Sequence, residues 1–285
     1  MLPAVTAPLF DPSTPRGLAL HLPFVHDWLV RFLQHEVHHR RGFERVVLGL
    51  SGGVDSAVVA HLCVDAFGPD NVIALRLPYV HSSLESLSDA RLIIDNLGIR
   101  SEDIEITGAA LGYLELEPDM SDRRLGNVLS RLRMTVLFDQ SEKYRALPIG
   151  TGNKTERMFG YFTWHADDSP PVNPLGDLFK TQVWELARYL GVPDQIVSKP
   201  ASADLIHGQT DEADFGIGYA EADAILSFYL RGYRREWLLR KGFDAASVDL
   251  VIGKVSSTHW KRHLPVFAML SDTSINDWYL RPVDY

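Results

Sequence analysis

The sequence predicts an α/β fold: a doubly wound, mainly parallel sheet flanked by helices, passing into a helical C-terminal part. Three observations predict it. Short apolar runs alternate with helical patterns through the first 150 residues. One of those runs, Val46 to Leu50, ends abruptly in Ser51-Gly52-Gly53 and is followed at once by a helical pattern. After residue 150 the strand-like runs stop and helical spacing takes over.

Each element follows from its local pattern. Residues 23–40 show helical spacing, with Phe24, Trp28, Phe32, Leu33 and Val37 placed on one stripe. His35, His38 and His39 crowd its end. Adjacent histidines do not share a helix face, so a solvated helix end is the better reading than a metal site. A strand at 46–50 and a helix at 54–67 come next, the helix broken by Gly68-Pro69. Val72 to Leu77 is a second strand, ended by Pro78, and 82–97 a helix stopped by Gly98. Residues 103–106 read as a short third strand, 124–143 as a long helix and 146–149 as a buried fourth strand. Helices are expected at 178–190, 193–198, 219–231, 234–241 and 246–256. The segments 164–176 and 199–218 read as long irregular stretches, which in a compact domain are functional or mobile. Residues 203–218, with Gly208, Gly216 and Gly218, are expected to close over ligands. Four prolines make the first residues a loose arm, so the division is arm 1–23 and one domain, 24–285.

Bulk composition narrows the function. The 285 residues are 46% hydrophobic and 23% charged, ordinary for a soluble protein with one large core. A net charge of −9 argues against a nucleic-acid reader. Cys63, the lone cysteine, rules out an internal disulfide and a cysteine cluster, and fits a reducing, cytoplasmic setting. It lies inside the helix after the glycine loop, where a buried structural role is expected. No apolar run is long enough for a membrane span, and the N-terminus makes a poor signal peptide.

The loop at 51–53 carries the chemistry. Strand, tight turn and helix start together direct backbone N–H groups at an anion. Gly52 and Gly53, lacking Cβ, allow phosphate oxygens to approach, and Ser51 and Ser56 add hydroxyls. Asp55 would repel phosphate by itself; it makes sense as a Mg²⁺ ligand whose metal bridges to phosphate. The Gly-Lys-[Ser/Thr] ending of a Walker loop is missing. In a parallel sheet ligands bind at the carboxyl ends of strands, so the loops after Leu50, Leu77 and Ile149 should face one site.

The Ser-Gly-Gly-x-Asp-Ser loop resembles that of the ATP pyrophosphatases, which split ATP between the α and β phosphates. The remaining motifs narrow the resemblance. They are Asn127-x3-Arg131-x-Arg133-Met134, Gly150-Thr151-Gly152-Asn153 with Glu156, and Gly160-Tyr161-Phe162-Thr163. After them come Asn173-Pro174-Leu175-Gly176-Asp177, Lys180-Thr181-Gln182-Val183, Lys199-Pro200-Ala201-Ser202 and Gly208-Gln209-Thr210-Asp211-Glu212. In this order they resemble ammonia-dependent NAD synthetase, over residues 24 to 267. The resemblance implies an adenine nucleotide alpha hydrolase-like fold and a ligase of NAD biosynthesis. Such an enzyme adenylates the carboxylate of deamido-NAD, releases pyrophosphate, and lets ammonia displace AMP to give NAD.

Carried over by position, the resemblance implies ATP binding by Gly49, Leu50, Ser51, Gly52, Gly53, Val54, Asp55, Ser56, Thr151, Lys180 and Ser202. It implies Mg²⁺ on Asp55 and Glu156, and catalytic roles for Asp55 and Lys180. Substrate contacts fall on Arg131, Trp164, Asp167 and Lys261, with Arg131 and Arg133 open between ligand and salt bridge. Glu156 also has a plain reading as a helix-start carboxylate, and Lys180 as surface charge. The chain departs from the family after Thr163. Where Lys-Tyr-Gly-Asp-Gly-Gly is usual it has Trp164-His165-Ala166-Asp167-Asp168-Ser169; Pro171 replaces an Asp, and Trp260-Lys261-Arg262 replaces His-Lys-Arg. Trp164 is placed to stack on a ring or to pack in the core. The altered acceptor half leaves three readings: NAD synthetase, an amide synthetase for another carboxylate such as nicotinate mononucleotide, and a catalytically silent nucleotide binder. Family members are homodimers, with the long helix at 124–143 and the N-terminal helix as plausible contact surfaces. Lacking the cysteine amidase of glutamine-using members, the chain is expected to take free ammonia, unless a separate glutaminase supplies it.

Overall fold

A computed structural model describes residues 18–202, 210–263, 266–271 and 273. Residues 1–17 of the expected arm and 203–209 of the expected closing loop lie outside the described residues; of the rest of the arm, Leu18 is buried and Leu22 already begins a helix.

Four strands form one all-parallel sheet: β1 (Arg45–Gly49), β2 (Val72–Arg76), β3 (Arg100–Asp103) and β4 (Ala146–Pro148), in the order β3-β2-β1-β4. Both faces are covered, so alternate residues of each strand enter different cores. Val46, Leu48, Val72 and Ala74 pack on one face against α1 (Leu22–Gln34), α2 (Val54–Phe67), α3 (Leu84–Leu97) and α7 (Lys180–Tyr189). Val47, Ile73 and Leu75 pack on the other with Leu137 and Tyr144 of α5 (Asp122–Tyr144). The chain runs outward from β1 through β2 to β3, then returns through α4 (Thr107–Leu114) and α5 to β4, on the far side of β1. That reversal opens a crevice at the carboxyl ends of β1 and β4.

The C-terminal part is helical, as expected. Helices α6 (Lys154–Phe159), α8 (Asp194–Val197), α9 (Asp211–Phe215), α10 (Tyr219–Tyr229), α11 (Arg235–Arg240) and α12 (Ala245–Thr258) complete the described set. Phe159, Phe179, Phe215, Tyr219, Leu226, Phe243 and Val251 fill a second core there. Gly160 ends α6 at φ 64°, where any Cβ would collide with the Thr258 side chain, so α6 and α12 approach through it.

Three expectations shift. The third strand starts earlier, at Arg100, because its pairing with β2 from Ile73 to Arg76 sets the register and its own sequence is only weakly apolar. The buried stripe of α1 is Leu29 and Leu33, continued by Val37 in the π-helical turn 35–39. Phe24 and Trp28 are each 63% exposed and stack on each other, one step round the helix from that stripe. The stretch 199–218 is not wholly irregular: α9 lies in it, with Phe215 and Ile217 buried. The histidine reading holds, since His35 and His39 are exposed and His38 bonds the Phe43 carbonyl at 2.7 Å. Cys63 is buried, and burial pushes its thiol well above the usual range, so it stays protonated.

Candidate active site

The crevice begins with the loop between β1 and α2. Gly52 has φ 84°, and a Cβ there would run into the carbonyl oxygen of Ser86 on α3, so only glycine fits. Ser51 and Ser56 organise the turn. The Ser51 N–H donates to Ser56 Oγ at 3.3 Å, Gly53 N–H to Ser51 Oγ at 3.2 Å, and Ser56 Oγ to the Gly53 carbonyl at 3.0 Å. No side chain caps α2. Its first-turn N–H groups are therefore left without a side-chain cap at the positive end of a 14-residue helix.

Asp55, Asn153, Glu156 and Lys180 meet beside that helix start, although they come from three helices. Asn153 caps α6: its Oδ1 accepts from Glu156 N–H at 3.0 Å, and Glu156 Oε2 accepts from Asn153 N–H at 3.2 Å. The remaining Nδ2 of Asn153 donates to Asp55 Oδ1 at 3.0 Å. Lys180, the first residue of α7, is 2% exposed and donates its ammonium to Asp55 Oδ2, with Glu156 Oε1 at 3.5 Å. The helix-start reading of Glu156 holds, and the same carboxylate also faces the cluster. The surface-charge reading of Lys180 does not hold.

The electrostatics follow from burial and crowding. Burial, followed by the charge of Asp55, pushes the Glu156 carboxyl upward, against the pull of Lys180. Burial works against the Lys180 ammonium, but Asp55 and Glu156 outweigh it and hold the amine protonated above its usual range. Two carboxylates, one ammonium and a helix N-terminus make a site for a polyanion carried with a hard cation. The donors are all oxygen, and Mg²⁺ characteristically takes one or two carboxylates plus substrate phosphates. Asp55 and Glu156 fit that demand. Among the described residues no larger cluster of metal-ligating side chains exists.

A second group of expected residues lies along 160–168. Arg131 Nη2 donates to the Trp164 carbonyl at 3.2 Å, and Lys261 Nζ donates to the carbonyls of Gly160 and Phe162. Asp167 Oδ1 accepts from Thr163 N–H at 2.8 Å and Ser130 Oγ at 3.1 Å. The Trp164 ring lies 4.0 Å from His165 and meets Trp260 edge-on at 5.3 Å. Arg133 donates to the Leu77 carbonyl at 3.1 Å, bracing the loop after β2. Between the two groups is a pocket whose lining includes Gly150, Gly152, Asn153, Glu156, Phe162 and Asp167. Thr151 is half-buried between its two glycines, and Ser202 is exposed at the end of the segment leading to residues 203–209.

Three residues escaped the sequence reading of roles. Asn153 sat inside a quoted motif, and its Asn-x-x-Glu spacing was a visible capping signal. Asp223 had no such signal. It is fully buried in α10 and accepts from Thr155 Oγ1 at 2.5 Å, Thr181 N–H at 2.9 Å and Thr181 Oγ1 at 2.8 Å. Thr155 in turn accepts from Lys180 N–H at 3.0 Å, so one carboxylate locks the neighbours of both Glu156 and Lys180. Asp211 is also buried; it accepts the Tyr219 hydroxyl at 2.7 Å, and burial raises its carboxyl.

With this geometry in place, known proteins give the family. The family model for NAD synthase matches residues 25–265. The NH3-dependent NAD⁺ synthetase of Chlorobaculum parvum is 46% identical over 90% of this chain and 93% of its own. Among solved structures, the NMN synthetase of Francisella tularensis superposes with a TM-score of 0.79 at 32% identity, covering 88% of this chain and all of that one. The NH3-dependent NAD synthetase of Campylobacter jejuni gives 0.76 at 29% identity, covering 88% of this chain and all of that one. The helix-start anion site, its carboxylates and the buried lysine are thus those of a chain that belongs to the NAD synthase family.

Proposed function

We propose that this protein is a ligase that amidates deamido-NAD with free ammonia at the expense of ATP. The observation that carries the reading is the cluster of Asp55, Glu156 and Lys180 at the uncapped start of α2. The nicotinate carboxylate oxygen attacks the α-phosphorus of ATP, and the bond to the β-phosphate oxygen breaks, releasing pyrophosphate. Ammonia nitrogen then attacks the activated carbonyl carbon, the bond to AMP breaks, and nitrogen loses a proton. The N–H groups at the start of α2 and the loop at 51–53 receive the phosphates, and Lys180 offsets charge that develops on them. Asp55 and Glu156 are the residues that would hold Mg²⁺, which supplies further charge neutralisation on the phosphates when bound. Thr151 and Ser202 contact ATP, and Arg131, Trp164, Asp167 and Lys261 line the acceptor side.

AMP release with Mg-ATP and ammonium, measured with deamido-NAD and nicotinate mononucleotide in parallel, tests this. Strong preference for deamido-NAD is expected; turnover with neither acceptor would overturn the proposal. A second reading has specific support. The replaced segment from Trp164 to Pro171 and the likeness to an NMN synthetase favour the mononucleotide as acceptor, and the same assay decides between them. Replacing ammonium by glutamine in that assay should abolish turnover unless a glutaminase is added.

A homodimer belongs to the same proposal. Leu111, Tyr113, Leu116 and Phe138 on and around α4 and α5 are exposed, an apolar surface suited to a second copy. A monomeric mass by light scattering at assay concentration would remove it.

A further inference from the structure

Outside the reaction cluster, a charge pair with a buried carboxylate and a half-buried lysine joins α3 to the segment that follows α8. Asp89 in α3 is fully buried, and both of its oxygens are used. Oδ2 accepts from Lys199 Nζ at 3.0 Å, and Oδ1 accepts from Gln195 Nε2 at 2.7 Å. Lys199 donates also to Ser86 Oγ at 3.2 Å. Ser86 is the residue whose backbone abuts Gly52 of the phosphate loop. A continuous path therefore runs from that loop, through the first turns of α3, to Gln195 at the start of α8 and to Lys199 beyond its end. Ser202 is three residues further along.

Stability alone is a poor account of such a pair. Desolvating two charges costs about as much as their attraction returns, and an apolar pair of similar volume often does as well. What the ionic pair adds is direction. Lys199 is held by two acceptors on one helix face, Asp89 by two donors from one segment, so the segment 195–199 has one register against α3. Because α3 abuts Gly52, that register is also a register against the phosphate loop.

We propose that Asp89 and Lys199 form a positioning pair for ATP, setting the segment that ends at Ser202 against the loop at 51–53 so that both engage one nucleotide. The proposal rests on the reading that Ser202 contacts ATP. Lys199→Met and Asp89→Asn should raise the Kd of Mg-ATP by calorimetry, and its KM, roughly tenfold. The acceptor KM should stay within about twofold, and Lys199→Arg, which keeps the charge, should restore most of the ATP affinity. Ser202→Ala should weaken ATP binding in the wild-type background and add little to Lys199→Met, since the two act through one contact. Equal rises in both KM values, or unchanged ATP affinity in folded Lys199→Met, would overturn the pair. So would full additivity with Ser202→Ala. Should Asp89→Asn fail to fold, Gln195→Ala removes only a neutral donor and must still raise the ATP KM selectively. Ser202→Ala without effect on wild-type ATP binding would instead strike the underlying reading of Ser202. The two failures are thereby distinguishable.

Discussion

On the side of the crevice proposed to receive the nucleotide, the clustered side chains hold one another. Asp55 is fixed by Asn153 and Lys180, Glu156 by Asn153, and the backbone of α7 by Thr155 and Asp223. On the acceptor side the corresponding residues hang on the backbone of one segment, 160–168. Arg131 and Lys261 spend donors on its carbonyls, and His165 adopts φ 59°, a left-handed conformation unusual for a residue with a side chain. The side proposed for the nucleotide is preorganised by mutual side-chain constraint. The acceptor side is a scaffolded loop whose side chains can change while the scaffold stays. The departures read from the sequence, Trp164 to Pro171 and Trp260, fall on this scaffolded side, where Trp260 meets Trp164 edge-on.

The sharpest way to break the comparison is on the nucleotide side. Asp55→Asn removes a charge from the oxygen pair proposed to hold Mg²⁺, and turnover should fall on the order of 10³-fold at any Mg²⁺ concentration. Lys180 keeps Glu156 as a partner, so the variant should still fold, as circular dichroism would record. Near-normal activity at saturating Mg²⁺ would take Asp55 out of the metal site.

A smaller effect is expected across the crevice. Trp164→Lys installs the lysine that the family resemblance places at this position, without touching the cluster of Asp55, Glu156 and Lys180. It should change the ratio of kcat/KM for deamido-NAD over nicotinate mononucleotide by roughly tenfold, the size of one aromatic or ionic ligand contact. The KM for ATP should be unchanged. If the ratio is unmoved, Trp164 merely packs against His165 and Trp260, and acceptor choice resides elsewhere.

How much of this was legible in the sequence follows the same division. The sheet, its crevice and the phosphate loop were readable because they rest on local patterns: apolar strands, a glycine turn, helical spacing. Asp55, Glu156 and Lys180 were readable through motif resemblance, and the structure brings them together. The burial of Lys180 was not, since its first-turn position says nothing of what packs over it. Asp223 was invisible, because its partners Thr155 and Thr181 are 68 and 42 residues away and its own surroundings in the sequence look like an ordinary helix. Among the short helices, α8 and α11 were expected while α4 and α9 were not, and α6 was signalled only by its helix-start carboxylate, because segments this short register only where neighbouring turn signals frame them.

Asp223 also supplies the subtlest test of the nucleotide side's construction. Burial pushes its carboxyl up to about 6, even though Thr155 and Thr181 donate to it. In the unfolded chain an Asp titrates near ~3.9. Between these values the native state holds a proton that the unfolded state has released. Stability from this group is therefore fully present below about pH 4 and is lost as pH rises to about 6, by about 3 kcal/mol in all. The sign is opposite to that of a salt-bridged carboxylate. Asp223→Asn keeps an acceptor oxygen for Thr181, presents its amide nitrogen to the Thr155 hydroxyl, and removes the titration. Other buried carboxylates, Glu156 and Asp211 among them, titrate upward in both proteins, so the difference between the two unfolding profiles isolates Asp223. Urea unfolding from pH 4 to 7 should show the variant gaining on the wild type as pH rises. Parallel profiles would mean that the three hydrogen bonds offset burial in full, leaving the carboxylate that locks Glu156 and Lys180 in place at no cost in the folded state.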